Sequence, residues 1–178
     1  MLGRRRISDV HAVAEVPSFA SVAERHLDDV HAYLVYLTCD RGVAEDLTAE
    51  TFEKALRQWR RFDPRRGSAR TWLCQLARTT ALDHFRAEDR RRRREGAYAA
   101  GEPEHAEVGV FGCLSPELER ALTALSAGER EVIALRVLLD LDGETAARVL
   151  GISATACTTR LSRALKKLEE RMSADVAA

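Results

Sequence analysis

The amino-acid sequence predicts an all-α protein in which two small helical domains are joined by a flexible linker, the second being a helix-turn-helix domain. The 178 residues are rich in Ala, Leu, Arg and Glu, and only 6% are aromatic, a composition that favours helices over a sheet. Apolar residues recur at helical spacing along most of the chain. The segment EGAYAAGEPEHAEVGVFG has no such period, which makes it a linker between domains.

These patterns set the predicted domain limits. In order, we expect an N-terminal extension 1–17, a first helical domain 18–94, an acidic flexible linker 95–115, a second helical domain 116–172 and a C-terminal tail 173–178.

Three helices are predicted in the first domain. The first runs from about Phe19 to Thr38, and the second from about Val43 to Trp59. The third begins at Ser68 or Ala69, after the loop RFDPRRGS, and continues to Arg94. The expected inward positions on the first two helices are Val22, Leu27, Val30, Leu34, Leu37, Leu47, Phe52, Ala55 and Leu56.

Capping residues divide the second domain into short helices. Ser115 precedes Pro116, and Ser126 with Glu129 forms a capping box before the run EVIALRVLLDL. Asp142 caps the next helix, which ends at the turn residue Gly151. Ser153 then caps a last helix, on which Leu161, Leu165, Leu168 and Met172 are expected to pack, while Arg160, Arg163, Lys166, Lys167 and Arg171 face outward.

This last helix and the one before it have the pattern of a DNA-binding helix-turn-helix. Ala147, Gly151 and Cys157 fall where that motif needs a small contact residue, a turn glycine and a buried apolar residue. The alternative is an ordinary helical hairpin whose basic residues are merely solvated. Cys157 is expected to fill the buried position rather than to act as a redox switch.

Charge is segregated along the chain although the net charge is zero. Residues 1–56 contain 6 Lys and Arg against 10 Asp and Glu, whereas residues 57–94 contain 13 against 4. Acidic and basic surfaces are thus kept apart, whereas a chain shaped only for solubility would be expected to intersperse its signs.

Several function classes find no support in the sequence. Four single cysteines without a C-x-x-C pair suggest neither a zinc site nor a disulfide framework, and no cofactor is predicted. No apolar run approaches the ~18 residues of a membrane span, and no signal peptide follows the N-terminal arginines, so we expect a cytoplasmic protein without membrane insertion. The sequence has no nucleotide-binding loop, nucleophile elbow or ligand cluster that would indicate an enzyme.

Four segments together resemble the extracytoplasmic-function (ECF) sigma factors of bacterial RNA polymerase. They are AEDLTAETFEKAL, FDPRRGSARTWLCQLARTTALDHFR, ALSAGEREVIALR and GISATACTTRLSRALKKLEE, and the resemblance spans about residues 18–172. It implies a factor that binds polymerase core and promoter DNA. The first domain would open the minus-ten element and the second would read the minus-thirty-five element. An anti-sigma factor is implied as a further partner.

The resemblance assigns core-polymerase binding to the second helix. The matching positions are Asp46, Glu50, Phe52 and Glu53, and an acidic helix would complement a basic partner surface. A solvated helix face is the alternative. Ala49 departs from the glutamine that is common in the family.

The loop and third helix match the part that melts and holds the minus-ten strand. The candidate residues are Arg65, Arg66, Arg70, Trp72, Arg78, Thr79 and Arg86. Arginines would contact phosphates, and Trp72 is a candidate for base stacking, although its spacing with Leu73 and Leu76 also suits core packing. Sequence-independent phosphate contacts are expected from Arg90, Arg91, Arg92, Arg93 and Arg94, with a solvated helix end as the alternative.

Minus-thirty-five recognition is expected near the start of the last helix. The candidates are Ser153, Thr155, Thr158, Thr159, Arg160, Arg163 and Lys166. Arg160 is the preferred specificity residue, because arginine binds guanine with two hydrogen bonds whereas threonine discriminates weakly. A stand-alone helix-turn-helix regulator is the alternative function, but it leaves the separate acidic and arginine-rich helices unexplained.

Overall fold

The computed structural model describes residues 17–95 and 114–176, and regular structure in these two segments is entirely helical. The helices are α1 (Phe19–Thr38), α2 (Arg41–Gln58), α3 (Ala69–Glu95), α4 (Pro116–Thr123), α5 (Ala127–Ile133), α6 (Gly143–Leu150) and α7 (Ala154–Val176), with a short 3₁₀ turn at Trp59–Arg61. Residues 1–16 of the predicted N-terminal extension and most of the predicted linker lie outside the described residues.

Local capping explains where α1 begins and ends and where α2 begins. The Ser18 side chain accepts a hydrogen bond from the Ser21 amide at 3.2 Å, and α1 stops at Cys39, whose φ of 54° is left-handed. Asp40 then accepts from the Val43 amide at 2.9 Å. This cap explains why α2 begins two residues before the predicted start.

The first domain packs α1, α2 and α3 against one another around Val30, Leu34, Ala44 and Leu73. The prediction of an inward position is wrong for two residues. Leu27 is 46% exposed on the outer side of α1, and Leu56 is 58% exposed. Leu56 lies one helical turn beyond Glu53, on the solvent face of α2, because Ala55 takes the inward position there.

In the second domain the predicted caps at Ser115, Ser126 and Asp142 are confirmed, and Gly151 has the expected left-handed φ of 68°. The run after Ser126 is not a uniform α-helix, however. α5 continues into one π-helical turn, Ala134–Leu138, closed by a hydrogen bond from the Leu139 amide to the Ala134 carbonyl at 2.9 Å.

The stripe predicted on α7 is only partly correct. Leu161 and Leu168 pack against the core, but Leu165 is 42% exposed and Met172 is 36% exposed. The buried contacts of α7 are made with α4, α5 and α6, and these three helices leave the flank that carries Leu165 uncovered. Small residues at Cys157 and Ala164 allow the close approach on the covered side.

The two domains pack directly against each other. Helix α5 contacts α1, and α6 contacts α3, so buried residues of both domains form one continuous apolar cluster. No described helix has an apolar stretch long enough to cross a lipid bilayer.

Candidate nucleic-acid and polymerase interfaces

The turn between α6 and α7 presents the start of α7 to solvent. The Ile152 amide bonds the Ala147 carbonyl at 3.0 Å across Gly151, and the Ser153 hydroxyl accepts from the Ala156 amide at 3.1 Å. Cys157 is buried beneath this turn. The predicted contact residues Ser153, Thr155, Thr158, Thr159, Arg163 and Lys166 are all exposed, and Arg160 is half-buried.

A surface groove of about 540 Å³ runs along this exposed side of α7. Its lining consists of Glu129, Ser153, Thr155, Ala156, Thr159, Arg160 and Arg163. The Arg160 guanidinium reaches the first turn of α5, since a Cβ placed on Gly128 would lie 3.7 Å from its Nη1. The groove thus combines hydroxyl groups with two guanidinium groups. In DNA-binding proteins, side chains of these types contact base edges and phosphates.

Glu129 holds α7 against α5 at the edge of this groove. Its carboxylate accepts from the Ser126 amide at 2.7 Å and from Lys167 Nζ at 3.0 Å. The Ser126 amide and the Lys167 ammonium stabilise the ionised form, so the pKa of Glu129 lies below its ordinary value of 4.5. Sequence reasoning found the capping box but missed the bond to Lys167, because nothing local links residues 38 positions apart.

Threonine and lysine side chains on α7 are not equally available for contacts with a phosphate. The Thr158 hydroxyl donates to the Ala154 carbonyl at 3.1 Å within the helix. The Lys166 side chain is 76% exposed and lies 3.9 Å from Glu170, a distance at which the pair contributes little. Lys166 is therefore free to contact a phosphate, whereas Lys167 is bound to Glu129.

The solvent face of α2 carries the predicted polymerase-binding carboxylates. Asp46, Glu50 and Glu53 are exposed along one side of the helix, together with Leu56. Glu50 pairs with Lys54 at 2.7 Å and Glu53 with Arg57 at 3.2 Å.

Phe52 differs from its acidic neighbours. It is half-buried against the core, with its ring centroid 6.5 Å from that of Phe19. The structure therefore places Phe52 behind the acidic face and not on it.

Trp72 belongs to an aromatic cluster under the loop that precedes α3. Its ring lies 5.8 Å from that of Trp59 and 5.3 Å from that of Phe62, and Trp59 and Phe62 stack at 4.9 Å. Packing thus occupies much of the Trp72 surface, and the side chain is only partly exposed.

The predicted minus-ten arginines fall into two groups. Arg65 and Arg66 are exposed in the loop, and Arg86 is exposed on α3, where it pairs with Asp83 at 3.1 Å. By contrast, Arg70 and Arg78 are half-buried in ion pairs across helices. Arg70 Nε lies 2.8 Å from Asp29 on α1, and Arg78 Nε lies 2.8 Å from Glu131 on α5.

Thr79 lies next to Arg78 on the exposed side of α3. Its hydroxyl donates to the Gln75 carbonyl at 2.9 Å, one turn back along the helix. The exposed Thr79 and the half-buried Arg78 thus face different surroundings.

The arginine run at the end of α3 is solvent-exposed. Arg91 and Arg92 share Glu88, and Arg93 pairs with Asp89 at 2.8 Å. These pairs lie along one helix and are largely solvated, so they compete weakly with a phosphate. Arg90 and Arg94 also lie on exposed helix surface.

Comparison with known proteins decides the family. A model of sigma-70 region 2 matches residues 22–91, and a model of sigma-70 region 4 matches residues 115–168. The probable RNA polymerase sigma-C factor of Mycobacterium bovis is 36% identical over 141 residues, which cover 76% of this chain and 73% of that protein. The chain belongs to the ECF sigma factors.

Other relatives agree with this family. The ECF RNA polymerase sigma factor BldN of Streptomyces coelicolor is 32% identical over 86% of this chain, which spans only 60% of BldN's length. Among solved structures, the sigma factor RpoE in complex with the anti-sigma factor NepR from Bartonella quintana matches with a TM-score of 0.76 and 25% identity, covering 90% of this chain and 99% of RpoE. CnrH bound to the cytosolic domain of CnrY has the same fold, at a TM-score of 0.63.

The family models assign a sigma-70 region to each half of this sigma factor. Region 2 comprises α1, α2 and most of α3, and region 4 comprises α4 to α7 up to residue 168. Sigma factors are initiation factors that serve promoter recognition and are not enzymes.

Three cysteines of this sigma factor lie within the described core. Cys39, Cys74 and Cys157 are free and buried, and burial raises the pKa of Cys74 to about 12. In the two described segments no group of three His, Cys, Asp or Glu is placed to hold a metal ion. Cys113 lies outside the described residues.

Proposed function

We propose that this sigma factor binds RNA polymerase core through the acidic face of α2 and directs it to promoters read at two elements. In this proposal α3 and its preceding loop hold the melted minus-ten strand, and the exposed start of α7 reads the minus-thirty-five element. The factor contributes no covalent chemistry, since binding energy positions the polymerase and traps a strand that thermal fluctuation exposes.

The exposed first turns of α7 are the observation that carries this proposal. A helix held by a capped turn on one side and by Glu129 on the other presents hydroxyl and guanidinium groups along an open groove. Such a helix fits the major groove of duplex DNA. The half-buried Arg160 has the more restricted position and is the proposed base-reading residue, while Arg163 and Lys166 suit phosphates.

The acidic face of α2 supports the polymerase part of the proposal. Asp46 has no ion-pair partner within 4 Å in the described chain, and Glu50 and Glu53 pair only with residues of their own helix. A basic partner could therefore bind these carboxylates without breaking contacts between helices. Leu56 adds an exposed apolar group to the same face.

We also propose an anti-sigma factor as a partner. The similarity to RpoE, which was solved with the anti-sigma factor NepR, supports this assignment. Because polymerase core is the target, the proposed place of action is the cytoplasm.

In vitro run-off transcription tests the function. Purified polymerase core is mixed with this sigma factor and genomic DNA, and the transcript starts are mapped. We expect starts that share two upstream sequence elements and that are absent with core alone. Transcription starts that do not differ from those of core alone would reject the proposal.

A further inference from the structure

Glu131 on α5 binds two residues of the other domain at once. Its Oε1 accepts a hydrogen bond from the Tyr33 hydroxyl on α1 at 3.0 Å and from Arg78 Nε on α3 at 2.8 Å. The Glu131 residue is only 5% exposed and Tyr33 is fully buried. This carboxylate therefore lies at the centre of the contact between the domains.

The neighbouring residue, Arg130, makes a second contact across the same boundary. Its Nη2 donates to the Leu37 carbonyl at 3.4 Å, near the end of α1, and its Nη1 donates to the Thr123 carbonyl at 3.2 Å. A cation at a helix C-terminus is favourable because the last carbonyls carry partial negative charge. Together, Arg130 and Glu131 fix α5 across the last two turns of α1.

Charge explains why Glu131 is suited to compete with nucleic acid. The side chain that it binds, Arg78, is one of the arginines assigned to minus-ten DNA in the proposed function. A carboxylate and a phosphate bind a guanidinium through the same donors. The Arg78 side chain is only 26% exposed, and turning its guanidinium outward to a phosphate would break the bond from Nε to Glu131.

Because Glu131 is buried, its bond to Arg78 should be kept or lost together with the whole domain contact. A buried carboxylate that loses its partners is left uncompensated, which is costly. Glu131 therefore remains bound inside the contact or becomes solvated when the domains separate. An intermediate with α5 in place and Arg78 bound to DNA would leave Glu131 without its cation.

We propose that the contact centred on Glu131 is a closed state of this sigma factor, in which Glu131 occupies Arg78 as a phosphate mimic and excludes the minus-ten strand. Opening of the domain contact frees Arg78, so nucleic acid and region 4 bind region 2 in competition. This inference rests on the proposed role of Arg78, but the closed state itself does not.

The experiment uses the full chain and two substitutions that weaken the contact differently. Glu131→Gln removes the charge, and Tyr33→Phe removes one hydrogen bond without altering region 4 or any arginine. Glu117→Gln is the matched control, because Glu117 is an exposed carboxylate of region 4 that pairs with Arg120 inside its own helix. Circular dichroism verifies that each variant is folded.

Two measurements separate the closed state from the competition. Small-angle X-ray scattering gives the radius of gyration of the free protein. Fluorescence anisotropy gives the affinity for a fluorescein-labelled single-stranded oligonucleotide of mixed sequence, about 12 nucleotides long. We expect both substitutions to increase the radius of gyration and to raise the affinity about threefold or more, because the binding-competent fraction rises. The control should match the unmodified protein.

The double variant Arg78→Ala, Glu131→Gln shows whether the gain depends on Arg78. We expect its affinity to fall to that of the unmodified protein or below. An unchanged radius of gyration in both Glu131→Gln and Tyr33→Phe would overturn the closed state. A larger radius without any gain in affinity, or a gain that survives loss of Arg78, would overturn the competition. Neither result depends on run-off transcription, so the proposed function would be judged separately.

Discussion

Lys167 of α7 and Glu129 of α5 are joined by an ion pair of 3.0 Å, and the same Glu129 carboxylate completes the capping box of α5 by accepting from the Ser126 amide. One carboxylate thereby fixes the start of α5 and the orientation of α7. Because the groove beside it carries the candidate base-reading residues, the helix proposed to read DNA is positioned by a residue that need not touch DNA.

Glu129→Gln should destabilise region 4, and the loss should depend on pH. Removing the charge weakens the cap and the ion pair, at a cost of about 1 kcal/mol in the free energy of unfolding. The pKa of Glu129 is lowered in the folded state, so this stabilisation is present above pH 4.5 and disappears as pH falls through the lower, folded-state pKa. Denaturant unfolding from pH 7 to pH 3 measures both effects. A constant difference between the two proteins over that range would contradict the assignment.

Charge reversal on α2 should abolish binding to polymerase core. The double variant Asp46→Lys, Glu50→Lys inverts the proposed contact face, and like charges would then face a basic partner. The matched control is Glu24→Lys, Asp28→Lys, which makes the same charge change at the same spacing on the exposed side of α1. Size-exclusion chromatography with core measures association. Equal binding by both variants would remove α2 from the interface.

Arg160→Ala and Lys166→Ala should weaken promoter binding in different ways. If Arg160 reads a base, its loss costs about 1 to 3 kcal/mol and relaxes the preference at one position of the minus-thirty-five element. Lys166 is proposed to contact a phosphate, so its loss should weaken all sequences alike and lower the salt dependence. The base preference and the salt dependence are measured as the affinity for a set of singly substituted promoters at several salt concentrations. A uniform loss in Arg160→Ala would assign Arg160 to the backbone instead.

Cysteine alkylation should be slow in the folded protein. Burial keeps Cys74 protonated, with a pKa of about 12, and it also raises the pKa values of Cys39 and Cys157. In a Cys113→Ser variant, we expect iodoacetamide at pH 8 to modify the three remaining thiols only when denaturant is added. Mass spectrometry counts the adducts, and rapid native labelling of Cys157 would argue for an accessible, redox-active thiol.

The features that the sequence predicted are those set by neighbouring residues. Caps at Ser115, Ser126 and Asp142 depend on side chains within three residues of the amides they bind, so the pattern alone reveals them. The left-handed Gly151 is predictable for the same reason. The fold class followed from these local signals together with helical periodicity.

Features that depend on contacts between helices were missed. Leu56 and Leu165 fit an apolar period, but their neighbouring helices leave those flanks uncovered. Periodicity shows which residues share a face but not whether another helix covers that face. Likewise, Arg78 and Arg86 are both arginines on α3, and the sequence does not show that one is half-buried and the other exposed. The difference arises because α5 docks over Arg78.

The paired arrangement of α1 and α5 has a consequence for how the domains come apart. Tyr33 and Leu37 are one helical turn apart, and they meet the adjacent residues Glu131 and Arg130. Sliding α5 along α1 by one turn, about 5.4 Å, would misalign both pairs together. Both bonds are therefore expected to break in the same step when the domains separate.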